Sequence, residues 1–303
     1  MLFPIALILV CTLGYLSQSI GLCMVRGVNE CKEGKPEFLM AILFRGAFAW
    51  VATLYSSYFG VPQQFRTYDV NVWFVIGGII FGFGTAFNNG CGVSTLSKLS
   101  RGDSKMLFTI LGWLIGWTIL SVLNPSTDHQ KLVISSDVTI GVLVALSIAL
   151  VVWAFLGDKE RRKLWLTMTS IGLIAGFVFL FDPKWPPSGL LHKVSHAITS
   201  SDNALWPPKE SYFLFLALLL GMFFAAWHTN KFEMIKSNWQ QWLLHIMAGT
   251  FMGIGASLAL GGNDSQLLLA LPTFSPGGIV AVIGMITGIW IGLFIRERYV
   301  EKA

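Results

Sequence analysis

The stretch FGFGTAFNNGCGVSTLSKLSRGD, residues 81–103, decides the fold. An apolar run leading into it is interrupted by glycines, paired asparagines and one cysteine, and then resumes as helix-compatible sequence. The surrounding chain is 54% hydrophobic and only 12% charged, about half the charged fraction of a soluble domain. An interruption of this kind therefore falls at membrane depth, where non-helical backbone is tolerated only if it is buried in protein or lines a polar cavity.

Working outward, runs long enough to cross about 30 Å of hydrocarbon occur at 2–22, 38–61, 72–88, 105–123, 138–156, 164–181, 211–229, 240–260 and 277–295. The reading is an all-α polytopic membrane protein of about nine transmembrane helices. The first 22 residues lack the basic segment and cleavage site of a secretory signal, and are expected to be a retained span. The connection 182–210 begins DPKWPPSG and ends NALWPPKE, which predicts a surface loop with stiff, extended ends. Placing the N-terminus outside puts fifteen Lys and Arg residues on the cytoplasmic side and five (Arg66, Lys131, Lys184, Lys193 and Lys209) on the other. That bias predicts a periplasmic N-terminus and a cytoplasmic C-terminus in a bacterial inner membrane.

The interrupted stretch has a second copy. GIIFGFGTAFNNGCGVSTL starts at Gly78 and GTFMGIGASLALGGNDSQL at Gly249, and at constant offset Gly78, Gly82, Gly84 and Gly90 coincide with Gly249, Gly253, Gly255 and Gly261. Each copy is followed by a span with its own glycine row, Gly112 and Gly116 in one case, Gly284 and Gly288 in the other. Such rows serve close helix packing in membranes. The breaks NNGCG and LGGND call for more. An odd number of spans separates the copies, so they enter the membrane from opposite sides, as in transporters built from inverted repeats whose broken helices meet near the midplane. The expected organisation is one integral membrane domain, 1–303, with half-repeats at 1–123 and 211–303 and connecting spans with the long external loop at 124–210.

Each break is followed by a helix start, where unpaired N–H groups and the positive end of the helix dipole favour an anion. Candidate binding residues are therefore Asn89, Gly90, Cys91 and Gly92 at the first break and Gly262, Asn263 and Asp264 at the second. Asp264 and Asn263 also suit helix capping. Arg45 falls inside the second apolar run, where a charge needs a partner; Asp264, a backbone carbonyl, water reached by snorkelling to the end of the span, and a bound anion are all candidates. Cys91 at a helix start has the environment that activates a thiol, and Cys23, in GLCMVRG at the end of the first span, is similar. Cys11 reads as a buried apolar residue and Cys31 as incidental. The four cysteines form no CxxC pair and no Cys/His cluster at zinc spacing, so no metal and no cofactor is expected. The net charge of +5 is scattered over short loops, which argues against nucleic acid. The five histidines (129, 192, 196, 228 and 245) read as structural or interfacial.

GLCMVRG, FRGAF and above all NNGCGVSTLSKLSRGD resemble the YeeE/YedE sulfur-transport family of bacterial inner-membrane proteins. The resemblance covers most of the chain. It implies about nine spans with loops dipping to the centre, uptake of thiosulfate or a related sulfur anion, and in some members a link to selenium metabolism or to a small cytoplasmic sulfur-carrier protein. The family's central cysteines carry over to Cys23 and Cys91; a third, in the second-half break of thiosulfate-type members, has no counterpart, since LGGND holds glycine at 261 and 262. Two functions follow as expectations: transport of a small sulfur anion past Cys91, Cys23 and two half-helix N-termini, or a membrane thiol enzyme that captures sulfur on Cys91 and passes it on. With no general base near either cysteine, the residues favour transport.

Overall fold

The computed structural model describes residues 2–60, 67–123, 125, 129–132, 136–200 and 205–299. Arg66 and Lys302, both counted in the charge bias, and residues 201–204 of the long connection lie outside the described residues. The regular structure is helical, with two isolated bridges, Tyr68 to Lys131 and Asp103 to Ile235. In chain order the helices are α1 (Leu2–Ile20), α2 (Met24–Lys32), α3 (Glu37–Phe44), α4 (Ala49–Phe59), α5 (Val72–Phe87), α6 (Gly92–Ser100) and α7 (Lys105–Leu123). They continue with α8 (Ser136–Leu156), α9 (Lys159–Phe181), α10 (Pro187–Ser200), α11 (Lys209–His228), α12 (Trp239–Leu258), α13 (Asn263–Thr273) and α14 (Pro276–Tyr299). Among the described residues eight stretches are long and apolar enough to cross a membrane, and α12 with α13, bent by 45°, makes a ninth. These match the nine apolar runs. The protein is a multi-pass membrane protein.

Local chemistry sets the helix starts. Asn71 accepts from the Trp73 amide at α5, Asp158 from the Arg161 amide at α9, and Asn238 with Gln241 forms a reciprocal capping box at α12. Large apolar side chains such as Ile8, Val122, Val138, Ile148 and Phe294 stay exposed, as a lipid-facing surface requires.

A pattern of long helix, short helix, long helix occurs four times: α1–α2–α3/α4, α5–α6–α7, α9–α10–α11 and α12–α13–α14. Only two of the four short elements, α6 and α13, are visible as breaks in the sequence. The connection expected as a surface loop contains α10, with Pro187, Ser188, Leu190, Ser195 and Ala197 buried. Proline at its first position is compatible with a helix start, and at 14 residues the helix is too short to register as a span. The span carrying Arg45 is also interrupted, by a 3₁₀ turn at Arg45–Phe48 between α3 and α4.

The long helices pack in exchanged pairs. α14 lies along α5 and α12 along α7, while α5 and α12 meet each other. The glycine rows set these contacts. A side chain at Gly78 or Gly82 would strike the Ala281 or Met285 carbonyl of α14, and one at Gly249 or Gly253 the Thr109 or Trp113 carbonyl of α7, which are equivalent positions under the repeat. With no hydrophobic drive between helices in lipid, such backbone approach is what holds them together. A second exchange pairs α1 with α11 and α9 with the α3/α4 span, with α1 against α9. Helix α8 packs outside on α9, α4 and the 3₁₀ turn.

Candidate functional site

The first break is held from below by Asn88. Its amide nitrogen donates to the Gly90 carbonyl and to Thr95 Oγ1, both at 2.7 Å. Its oxygen receives Thr109 Oγ1 at 2.7 Å and lies 2.8 Å from His245 Nδ1. Asn89 takes the left-handed conformation at φ 54°, with its side chain exposed and its carbonyl accepting from Lys98 Nζ at 2.7 Å. The turn delivers Cys91, buried, to the cap position of α6. A Cβ at Gly92 would stand 2.6 Å from the buried Trp113 ring, which makes glycine a steric requirement there, whereas one at Gly90 would meet only the Ser94 hydroxyl, at 2.5 Å, which can rotate away.

Cys23 occupies the equivalent cap position of α2, in extended backbone just after the left-handed Gly21. The two thiols are neighbours that interact with each other. The Met24 amide of α2 lies near the Cys91 sulfur, the Arg26 amide near the Cys23 sulfur, and Ser94 Oγ lies 3.8 Å from the Cys91 sulfur. The starts of α2 and α6 thus meet at a pair of thiols.

Arg45 lies in the 3₁₀ turn that touches α13, with its backbone carbonyl against Gly172 of α9. It is 2% exposed, its Nε and Nη2 have no hydrogen-bond partner, and it makes no ion pair with a described carboxylate. Cys91 and Asp264 are both within electrostatic reach of it. The direct Arg45–Asp264 pair considered from the sequence is therefore absent. An unpaired buried guanidinium costs several kcal/mol, which an anion in the site would offset.

At the second break, Gly262 caps α13 against the Phe81 ring. The helix is irregular: a single α turn, then a π turn at Gln266–Ala270 and a 3₁₀ turn at Leu271–Thr273. The π turn supplies no regular run of aligned amides behind Asn263. Asn263 is buried with its Oδ1 unpartnered. Asp264, also buried, accepts from Ser188 Oγ at 2.8 and 2.9 Å and from the Ser265 amide at 2.8 Å. Ser188 stands in the first turn of α10, so α10 and α13 cross at a hydroxyl and a carboxylate where α2 and α6 cross at two thiols. The sequence holds no signal for Ser188 beyond PPSG before an apolar run. The roles of Asn88 and His245 were missed because both read as ordinary packing.

Two cavities approach this centre. One, of about 650 Å³, reaches Cys23 and Ser94 and is rimmed by Arg26, Lys98, Arg101, Lys231 and Arg296, with Glu297 the one carboxylate among the described residues of its lining. The other, of about 210 Å³, reaches Ser188, Gly261 and Ser265 and is lined by Trp117, His192 and His196. Neither touches Cys91, Arg45 or Asp264. The structure brings Cys23, Cys91, Arg45 and Asp264 to one centre, with Gly90, Gly92, Gly262 and Asn263 around it; Asn89 instead faces the larger cavity.

A membrane protein with broken helices converging on a buried cation between two cavities has the architecture of a transporter. Residues 21–291 match the family model for sulphur transport, and the chain belongs to that family, a family of transport proteins rather than enzymes. It is similar to the thiosulfate transporter TsuA of Escherichia coli (strain K12), with 22% identity over 253 aligned positions covering 71% of this chain and 72% of that transporter.

Proposed function

We propose that the protein takes up a small sulfur-containing anion, thiosulfate above all, across the bacterial inner membrane. The anion passes from the smaller cavity, past Arg45 and the Cys91–Cys23 pair, into the basic cavity. The observation that carries this reading is the buried guanidinium with two unpartnered nitrogens, set beside two facing thiols at helix starts. The guanidinium offers charge-assisted donors to oxyanion oxygens. The thiols are weak, polarizable donors and acceptors, suited to a path that must release what it binds.

The exchanged packing supports a two-half organisation in which α9 and α10 belong to the second half rather than to a connecting region. The count of intervening spans supports inversion of one half relative to the other. Lys and Arg bias supports a periplasmic N-terminus, a cytoplasmic C-terminus and a cytoplasmic opening for the basic cavity. There it would meet the small sulfur-carrier protein that the family resemblance implies.

The test is growth of a cell lacking its own thiosulfate uptake, with thiosulfate as sole sulfur source. The protein is expected to restore growth and its Cys91→Ala form, at equal membrane abundance, to fail. No growth with the unaltered, expressed protein would sink the thiosulfate assignment.

A further inference from the structure

The smaller cavity ends against Ser188, Gly261 and Ser265, and Asp264 lies behind them, 5% exposed. The Arg45 guanidinium, which neither cavity touches, lies within electrostatic reach of Asp264. The barrier between cavity and guanidinium is held by one compact set of contacts. Ser188 Oγ lies 2.8 and 2.9 Å from the two carboxylate oxygens of Asp264 and 3.2 Å from Ser265 Oγ, and the Ser188 amide lies 3.4 Å from Oδ2. All of these join the first turn of α10 to the first turn of α13. Hydrogen bonds to a buried carboxylate are charge-assisted, and breaking this set would leave Asp264 short of partners in a water-poor site, which is costly.

We infer that Ser188 and Asp264 form a latch that closes the path between the smaller cavity and Arg45. The inference rests on the proposed route through Arg45 and Cys91, and adds to it a specific closing contact. Three consequences of the geometry support it. The latch joins two elements that otherwise enter the centre separately. It presents a carboxylate toward an arriving anion, so the closed state repels as well as blocks. It also occupies in the second half the place that the Cys23–Cys91 contact holds in the first, so each half contributes one crossing between its two short helices. An anion reaching Arg45 must separate Ser188 from Asp264, and the guanidinium between Asp264 and Cys91 is the group that gains a partner when it does.

The latch can be tested by the access of a thiol reagent to Cys91, separately from uptake. In a Cys11→Ser, Cys31→Ser background only Cys23 and Cys91 remain. A membrane-impermeant, negatively charged methanethiosulfonate is applied to sealed vesicles of both orientations, and modification of each cysteine is followed by peptide mass. From the face at which Cys23 does not react first, Cys91 is expected to react slowly in the background form. It should react at least about tenfold faster once Ser188→Ala removes the hydroxyl bonds to the carboxylate. Ser188→Thr, which keeps the hydroxyl, should restore slow reaction, a rescue that general loosening of the helices would not give. Equal rates in background and Ser188→Ala from that face, or fast reaction in Ser188→Thr, overturn the latch. Because labelling needs no substrate, a failure of thiosulfate uptake leaves this outcome readable, and equal labelling leaves the uptake assignment standing.

Discussion

Two pairs of short helices meet in the same way and fill the crossing with different chemistry. In one pair the starts of α2 and α6 meet at two thiols, Cys23 and Cys91. In the other the starts of α10 and α13 meet at Ser188 and Asp264. A thiol contact is soft and weak; a hydroxyl on a buried carboxylate is a strong, charge-assisted bond. The common architecture fixes where the crossings are, and the side chains decide how readily each one opens. Arg45 lies within electrostatic reach of both Cys91 and Asp264.

The largest expected effect comes from removing what both crossings share. Arg45→Gln withdraws the buried guanidinium from the centre. If the anion is held by charge-assisted bonds to it, uptake should fall by at least about thirtyfold, the equivalent of about 2 kcal/mol. Thermal unfolding of the purified protein should show no loss of stability, because an unpartnered buried charge has been removed. A variant that transports normally would take the guanidinium off the path. One that instead melts earlier would make Arg45 a structural residue.

Next in size is a change confined to the second crossing. Asp264→Asn keeps an oxygen for the Ser188 hydroxyl but removes the charge that opposes an arriving anion. The concentration of thiosulfate for half-maximal uptake should fall by at least about tenfold, since one opposing charge several ångströms away contributes on the order of 2–4 kcal/mol per unit charge at an effective dielectric of about 20, more than the roughly 1.4 kcal/mol that a tenfold change needs. Maximal uptake should fall as well, because release slows when binding tightens. Concentration curves for uptake separate the two effects. An unchanged half-saturation would show that the carboxylate does not face the anion, and the contrast between the crossings would then be one of shape alone.

Much of this was legible beforehand because it rests on length and composition. Nine apolar runs gave nine spans, and the glycine rows at Gly78 and Gly249 announced helix pairs that do pack through them. Cys91 and Asp264 were legible because glycines on their N-terminal side mark a turn inside an apolar segment. The other two short helices left no such mark. In α10 the Trp-Pro-Pro punctuation suggests an extended loop, although proline at a helix start is compatible with a helix. In α2 the turn is made by Gly21 and the helix is polar enough to read as a loop after the first span. Arg45 was correctly singled out as a charge within a span. That its turn is 3₁₀ and touches α13 depends on Gly172 and Gly46, residues distant in sequence or unremarkable in type. Asn88 and Asn89 cannot be ranked from the dipeptide, since their roles differ only through which one turns inward.

That last pair gives the finest test, because the two breaks are braced from opposite sides. In the first, Asn88 reaches from the end of α5 to the Gly90 carbonyl and to Thr95 of α6, and it also meets Thr109 and His245, four hydrogen bonds in all. In the second, the brace runs backward: Gln266 Nε2 reaches from α13 to the Ala259 carbonyl at 2.5 Å, while its Oε1 has no partner. Asn88→Ala would take the donor from the buried Gly90 carbonyl and remove all four bonds, leaving Thr109 Oγ1 and His245 Nδ1, 3.1 Å apart, to pair with each other, and should cost about 2 kcal/mol. Gln266→Ala gives up one bond and relieves one unsatisfied oxygen, so its cost should be about 1 kcal/mol or less. Asn89→Gly should change stability by no more than about 0.5 kcal/mol, because glycine accepts the left-handed backbone and Lys98 binds the residue's carbonyl rather than its side chain. Thermal unfolding in one detergent ranks the three. If Gln266→Ala proved as damaging as Asn88→Ala, the two breaks would be equally braced, and any difference in opening between the halves would have to come from the thiols and the carboxylate alone.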